Sequence, residues 1–270
     1  DKEGPFKRNG VGEGPELESI ETTYADDGEE IFFTSGATES NNIALRGIVA
    51  PYRGVDHHVV TSSIEHSSVL DVVAHMARTG TASTTVRSDA SGLVDPDDVA
   101  RVLTADTVLV SIMHANNEVG SVQSLCEIST VCREKRIPLH TDAAQSIGRI
   151  PFHVDHLGVD VASISAHKIH GPKGVGALYV RSISPRVRVA PITFGGGHES
   201  GLRPGTLNVA GIVGLAAALR LAIDGLAPET SSIRERRDRL WTQVSDGFPP
   251  AQLNGPRIDL HTEERLPNNL

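Results

Sequence analysis

The sequence predicts a three-layer α/β/α fold built on a mostly parallel sheet, and three observations carry that prediction. From Ile31 onward, short apolar runs alternate with stretches of helical periodicity. Several runs, such as Val108-Leu109-Val110-Ser111-Ile112, are apolar at nearly every position, as in strands covered on both faces. Strands that alternate with helices are joined by right-handed crossovers, which put helices on both sides of a parallel sheet.

Taken in order, residues 1–24 are rich in Gly, Pro and Glu and read as loop. Ile31-Phe32-Phe33 reads as a strand and 39–48 as a helix; His58-Val59-Val60-Thr61 and 67–77 repeat the pair. Val86 and the stretch 99–103 continue the alternation, and the strand at Val108 follows. Further strands are expected over 137–141, 159–165 and 176–180. After Phe194-Gly195-Gly196-Gly197 comes a loop, then an Ala- and Leu-rich helix over 209–223 and a polar helix over 231–244. The expected organisation is an N-terminal segment (1–24), a large domain (25–226) and the start of a smaller C-terminal domain (227–270), most of which is missing. The final Leu266-Pro267-Asn268-Asn269-Leu270 reads as a chain cut where a strand begins.

Composition narrows the function. A chain of 270 residues can bury one large core, with 39% hydrophobic and 22% charged residues typical of a soluble protein. The net charge of −9 and the absence of a basic stripe argue against nucleic acid as a partner. No apolar run is long enough for a membrane helix, and Asp1-Lys2-Glu3-Gly4 does not open like a signal peptide. The two cysteines, Cys126 and Cys132, fall in one expected helix and suggest a reducing compartment, taken as the cytoplasm. His57, His58, His153 and His156 show no zinc spacing, so no metal is expected.

Five polar residues follow expected strand ends: Thr38, His66, Asn117, Asp142 and Lys168. Open α/β sheets bind ligands at that rim. Lys168, in Ser165-Ala166-His167-Lys168-Ile169-His170-Gly171, is placed to be partly desolvated, which favours its nucleophilic form. Asp142, in His140-Thr141-Asp142-Ala143-Ala144-Gln145, can cap the following turn or hold a protonated ring nitrogen. An amine for a Schiff base and a carboxylate for a pyridinium are the pair that pyridoxal 5'-phosphate (PLP) chemistry requires, which favours the second role. Thr34-Ser35-Gly36-Ala37-Thr38-Glu39 joins a strand to a helix through small residues and offers N–H groups to a phosphate. His66 offers a flat ring to stack on a cofactor and relay protons, and Asn117 an amide for an oxygen. Gly171-Pro172-Lys173-Gly174-Val175-Gly176 lacks the ending of a nucleotide loop and is not read as one.

These motifs, with Ser63–His66, Met113–Gly120 and Gly195–Thr206, resemble the cysteine desulfurases of the fold-type I PLP class (class V aminotransferases), with selenocysteine lyase a near relative. The resemblance implies a PLP-dependent transferase major domain in which Lys168 carries PLP as a Schiff base and also moves the substrate proton. It implies that Asp142 pairs with the ring nitrogen, Gln145 with the ring hydroxyl, and that His66 stacks on the ring and takes part in proton transfer. Thr38, Ser165 and His167 would hold the phosphate, Ala37 would also bind the cofactor, Asn117 would bind near the ring hydroxyl and the substrate carboxylate, and Thr206 would reach the phosphate of a neighbouring subunit. L-cysteine as substrate, a homodimer and a sulfur-acceptor protein serving iron–sulfur cluster assembly or thiolation follow by the same implication. The family's sulfur-accepting cysteine and substrate-clamping arginine match no residue up to Leu270. Two further readings are selenocysteine lyase and an inactive PLP-binding fragment or dimer partner.

Overall fold

The computed structural model describes residues 30–52, 56–183, 186–258 and 263–270. The expected loop over 1–24 lies outside the described residues. Seven strands form one sheet: β1 (Ile31–Thr34), β2 (His58–Ser62), β3 (Ala82–Val86), β4 (Thr107–Ser111), β5 (Leu139–Asp142), β6 (Val161–Ser165) and β7 (Gly176–Val180). Their order is β1-β7-β6-β5-β4-β2-β3. β2 to β6 pair in parallel, whereas β7 runs antiparallel to both β6 and β1. The five parallel strands and β1 therefore end on one rim.

The helices are α1 (Ala37–Val49), α2 (Ser67–Arg78), α3 (Pro96–Val102), α4 (Leu125–Glu134), α5 (Val154–Leu157), α6 (Val209–Asp224) and α7 (Leu226–Gly247). Alternate residues of each strand point to opposite faces, and this builds two cores. Val59, Leu109, Val161 and Leu178 pack against Ile43, Leu45, Val69 and Val73 of α1 and α2. Val60, Val110, Ala162 and Tyr179 pack on the other face against Leu125, Ile128, Ile212 and Leu215 of α4 and α6. The three-layer expectation holds.

Two differences from the sequence reading have physical causes. The polar helix begins at Leu226, five residues before the expected 231, with Pro228 inside its first turn. Proline is tolerated there because first-turn N–H groups have no intrahelical acceptor. The reversal of β7 was not specified by the apolar pattern, since a strand buried on both faces reads the same in either direction. Residues 263–270 fold back on the sheet's rim: Ser121 bridges Arg265, and Leu266 N–H donates to Gly120 C=O at 2.8 Å.

Candidate active site

The shared rim places a cleft of about 490 Å³ at the carboxyl ends of the strands. It is lined by Ala37, Thr38, His66, Asn117, Asp142, Gln145, Ser165, His167 and Lys168, gathered from five separate connections. Among the expected site residues, Thr206 alone is outside it, exposed on the loop before α6. A larger cavity of about 800 Å³ opens at the opposite ends of the strands around Val108, Pro138 and Asp160. It holds none of the residues that follow strand ends, so the carboxyl rim is the chemical one.

Asp142 is the last residue of β5 and only 6% exposed. Its Oδ1 accepts from Ala144 N–H at 2.9 Å and its Oδ2 from the Asn41 amide at 2.8 Å. One oxygen thus caps the turn, the first role considered for it, and the other is held by the Asn41 amide, while the residue lines the cleft. Burial raises its pKa, while the amide donors and the charges of His66 and Lys168 pull it back down.

Asn41 starts a relay that the sequence did not reveal. Its Nδ2 donates both to Asp142 and to Ser68 Oγ, each at 2.8 Å. Ser68 Oγ lies 2.8 Å from His66 Nδ1, which also accepts from Ser68 N–H at 3.1 Å. With Nδ1 accepting, the neutral ring carries its proton on Nε2. Asn41 stands three residues after Thr38 on α1, so one helix face supplies both the Thr38 side chain that lines the cleft and the aspartate's partner.

Lys168 sits in a 3₁₀ turn (Ala166–Ile169) closed by His170 in the left-handed conformation, φ 65°. Its carbonyl accepts from Arg149 Nη2 at 2.7 Å, which fixes the turn that aims the amine. Beside it, His167 Nδ1 lies 2.8 Å from Ser165 Oγ. Burial and the nearby Lys168 and Lys173 lower the pKa of His167. Asn116, not Asn117, shapes the loop after β4: its amide donates to Ile64 C=O and its oxygen accepts from Glu118 and Val119 N–H. Asn117 is left exposed to the cleft.

The turn into α1 is built for close approach. Gly36 has φ 148°, and a Cβ on Gly176 would meet the Gly36 Cα at 2.6 Å. Gly36 supplies no side-chain cap, so the first-turn N–H groups of α1 stay open to an anion. Glu65, next to His66, was also not anticipated. Its Oε1 accepts from Ser62 Oγ at 2.6 Å and Met113 N–H at 2.7 Å, and burial pushes its pKa up to about 8.

The family profile for aminotransferase class-V matches residues 20–253. The chain belongs to that family. It is 45% identical over 242 residues to the cysteine desulfurase IscS of Dictyoglomus turgidum, covering 90% of this chain and 59% of that one. It thus spans about three-fifths of the length of such curated relatives. Among solved structures, a NifS-like protein superposes with a TM-score of 0.86 at 37% identity, covering 93% of this chain and 67% of the other. A protein titled SspA in complex with cysteine matches at 42% identity and TM-score 0.73, covering 76% and 59%. The class is PLP-dependent, and the cleft fits the cofactor. It offers a half-buried lysine, a buried carboxylate held only by amide donors, and an uncapped helix start beside a glycine cradle.

Neither cysteine lines this cleft. Cys126 is exposed and donates to His156 C=O, while Cys132 is buried and its thiol is pushed up to about 12. Among the described residues no group of three or more His, Cys, Asp or Glu could hold a metal. No single described helix is long and apolar enough to cross a membrane.

Proposed function

We propose that this chain is the PLP-binding large domain of a cysteine desulfurase that takes sulfur from L-cysteine and leaves L-alanine. The observation that carries the reading is the line of contacts from Asp142 through Asn41 and Ser68 to His66, with Lys168 on the same cleft. The similarity to cysteine desulfurases and to a structure titled with bound cysteine supports it.

When bound, PLP supplies an electron sink next to the substrate's Cα. Asp142 would hold a proton on the ring nitrogen, and its burial without a cationic contact would strengthen that interaction. Thr38, Ser165 and His167 would hold the phosphate, with Ala37 beside the cofactor, and Gln145 and Asn117 would meet the ring hydroxyl. Lys168 would hold the cofactor, and its Nζ would be the base positioned to take the substrate's Cα proton. His66 covers the ring, and its Nε2–H is set by the Ser68 contact at Nδ1. The sulfur then passes to a thiol outside this cleft, since neither Cys126 nor Cys132 reaches it. We place the large domain at 25–226 and the opening of a second domain at 227–270. A homodimer in which Thr206 serves the neighbouring cleft belongs to the same proposal, as does a sulfur-acceptor protein.

The test separates proton removal from sulfur transfer. The chain with PLP, incubated with L-cysteine in deuterium oxide, should exchange the Cα proton, read by NMR. Lys168→Ala should abolish both exchange and the borohydride-reducible cofactor adduct. Wild-type chain that binds PLP yet exchanges no proton overturns the reading. Faster alanine release from selenocysteine than from cysteine would transfer it to selenocysteine lyase.

A further inference from the structure

The loop over 195–206 is tied at two points, to β1 and to the helix that follows it. Glu199 is buried, and its carboxylate accepts from the Phe33 N–H on β1 at 2.6 Å. Glu199, Ser200 and Gly201 hold φ values of 50°, 52° and 83°, left-handed in three successive residues. Residues other than glycine adopt that region infrequently, so Glu199 and Ser200 mark a constrained turn at the point where the carboxylate meets β1.

The second tie lands on the cleft. Arg203 Nε donates to Glu39 Oε1 at 3.1 Å. Glu39 is in the first turn of α1, lines the cleft, and accepts from the Ser35 N–H through its other oxygen. Those contacts hold its carboxyl below the usual range against the opposing effect of burial, so it is ionised. A negative side chain thus shares one helical turn with the donors that a phosphate would use. Uncompensated, it would repel a phosphate dianion at close range and through partly desolvated surroundings.

We propose that Arg203 is a positioning residue for the phosphate end of the cofactor: it cancels the Glu39 charge and holds that carboxylate back on the Ser35 N–H ahead of the helix, leaving the first-turn donors of α1 to the phosphate. The inference rests on the PLP reading of the cleft. It makes the loop over 195–206 part of its own chain's cofactor site.

The test compares PLP with pyridoxal, which carries the same aldehyde and ring without the phosphate, on the cofactor-free chain. Absorbance titration gives the ratio of their dissociation constants, in which the Schiff-base term is common and cancels. Arg203→Ala should weaken PLP about tenfold, the scale of one lost charge partner in a half-buried site, with pyridoxal unchanged within about twofold. Arg203→Ala combined with Glu39→Gln should restore the ratio to within about threefold of wild type. If Arg203→Ala does not fold, Glu39→Gln alone should shift the ratio toward PLP. Equal weakening of both ligands, absence of rescue, or a Glu39→Gln shift toward pyridoxal overturns the proposal. Failure of the PLP reading is distinguishable, because neither ligand would then give a borohydride-stable adduct.

Discussion

Asp142 and Asp160 are the same residue type at nearly the same burial, 6% and 5% exposed, at opposite ends of adjoining strands. Burial raises both carboxyls. Asp160 meets a guanidinium directly: Arg181 Nε donates to it at 3.1 Å, while Arg181 also binds Asp155 at 2.8 Å and Val159 C=O at 2.9 Å. Asp142 touches only amide donors, and the positive charge of Lys168 acts on it through space. An aspartate already matched to a cation is part of the frame. One given amides alone keeps an unfilled preference for a positive partner, and a protonated ring nitrogen is such a partner.

Exchanging these two residues for alanine is the strongest way to break the comparison. Asp142→Ala should lower Cα proton exchange about 10²-fold, as when a preorganised charge partner is removed, at an unfolding cost of only about 1 kcal/mol from the amide donors it leaves unpaired. Asp160→Ala should do the reverse, costing about 3 kcal/mol in denaturant unfolding by leaving Arg181 short of a partner, with exchange intact. Loss of exchange in both variants would erase the distinction.

Glu65 sharpens it through pH. Its unfolded carboxyl ionises near 4.5, whereas the folded one keeps its proton to about 8. Stability from the protonated form is therefore complete below 4.5 and declines as pH rises toward about 8. Glu65→Gln, which cannot ionise, should be the more stable protein at pH 7 by about 2 kcal/mol, less than the ideal linkage slope of about 1.4 kcal/mol per pH unit would give. The advantage should vanish at acid pH when melting is followed from pH 4 to 8; a constant difference would contradict a buried neutral carboxyl. The smallest effect is expected at Ser68. Ser68→Ala cuts the relay between Asn41 and His66 and should slow exchange about tenfold, equivalent to one lost buried hydrogen bond. Unchanged exchange there would confine the function of the relay to packing.

The rim was legible because chemistry-bearing residues at parallel strand ends must share an edge: Lys168, Asp142 and His66 needed only strand placement. Their supports were not. Asn41 and Ser68 are helix residues whose reach depends on how α1 and α2 cross, which no spacing within either helix encodes. Glu65 reads as an ordinary polar turn residue until Met113, far along the chain, is packed over it. The direction of β7 did leave a trace. The segment from Ser165 to Gly176 is too short for the crossover helix a parallel strand needs. The early start of the last helix at Leu226 was not legible in its polar stretch over 231–244, because it places Pro228 in the first turn, where a missing N–H is tolerated.

The reversal of β7 also has a kinetic consequence. Ser165 pairs with Gly176 across one turn, so the lysine's segment closes a short loop at low entropic cost. Ile31 meets Tyr179 only after most of the described chain has been gathered. Short-range closures precede long-range ones in folding. In a refolding chain, the turn bearing the amine should therefore gain protection from hydrogen exchange before the glycine cradle beside β1 does, and the two ends of the cofactor site would be assembled at different times.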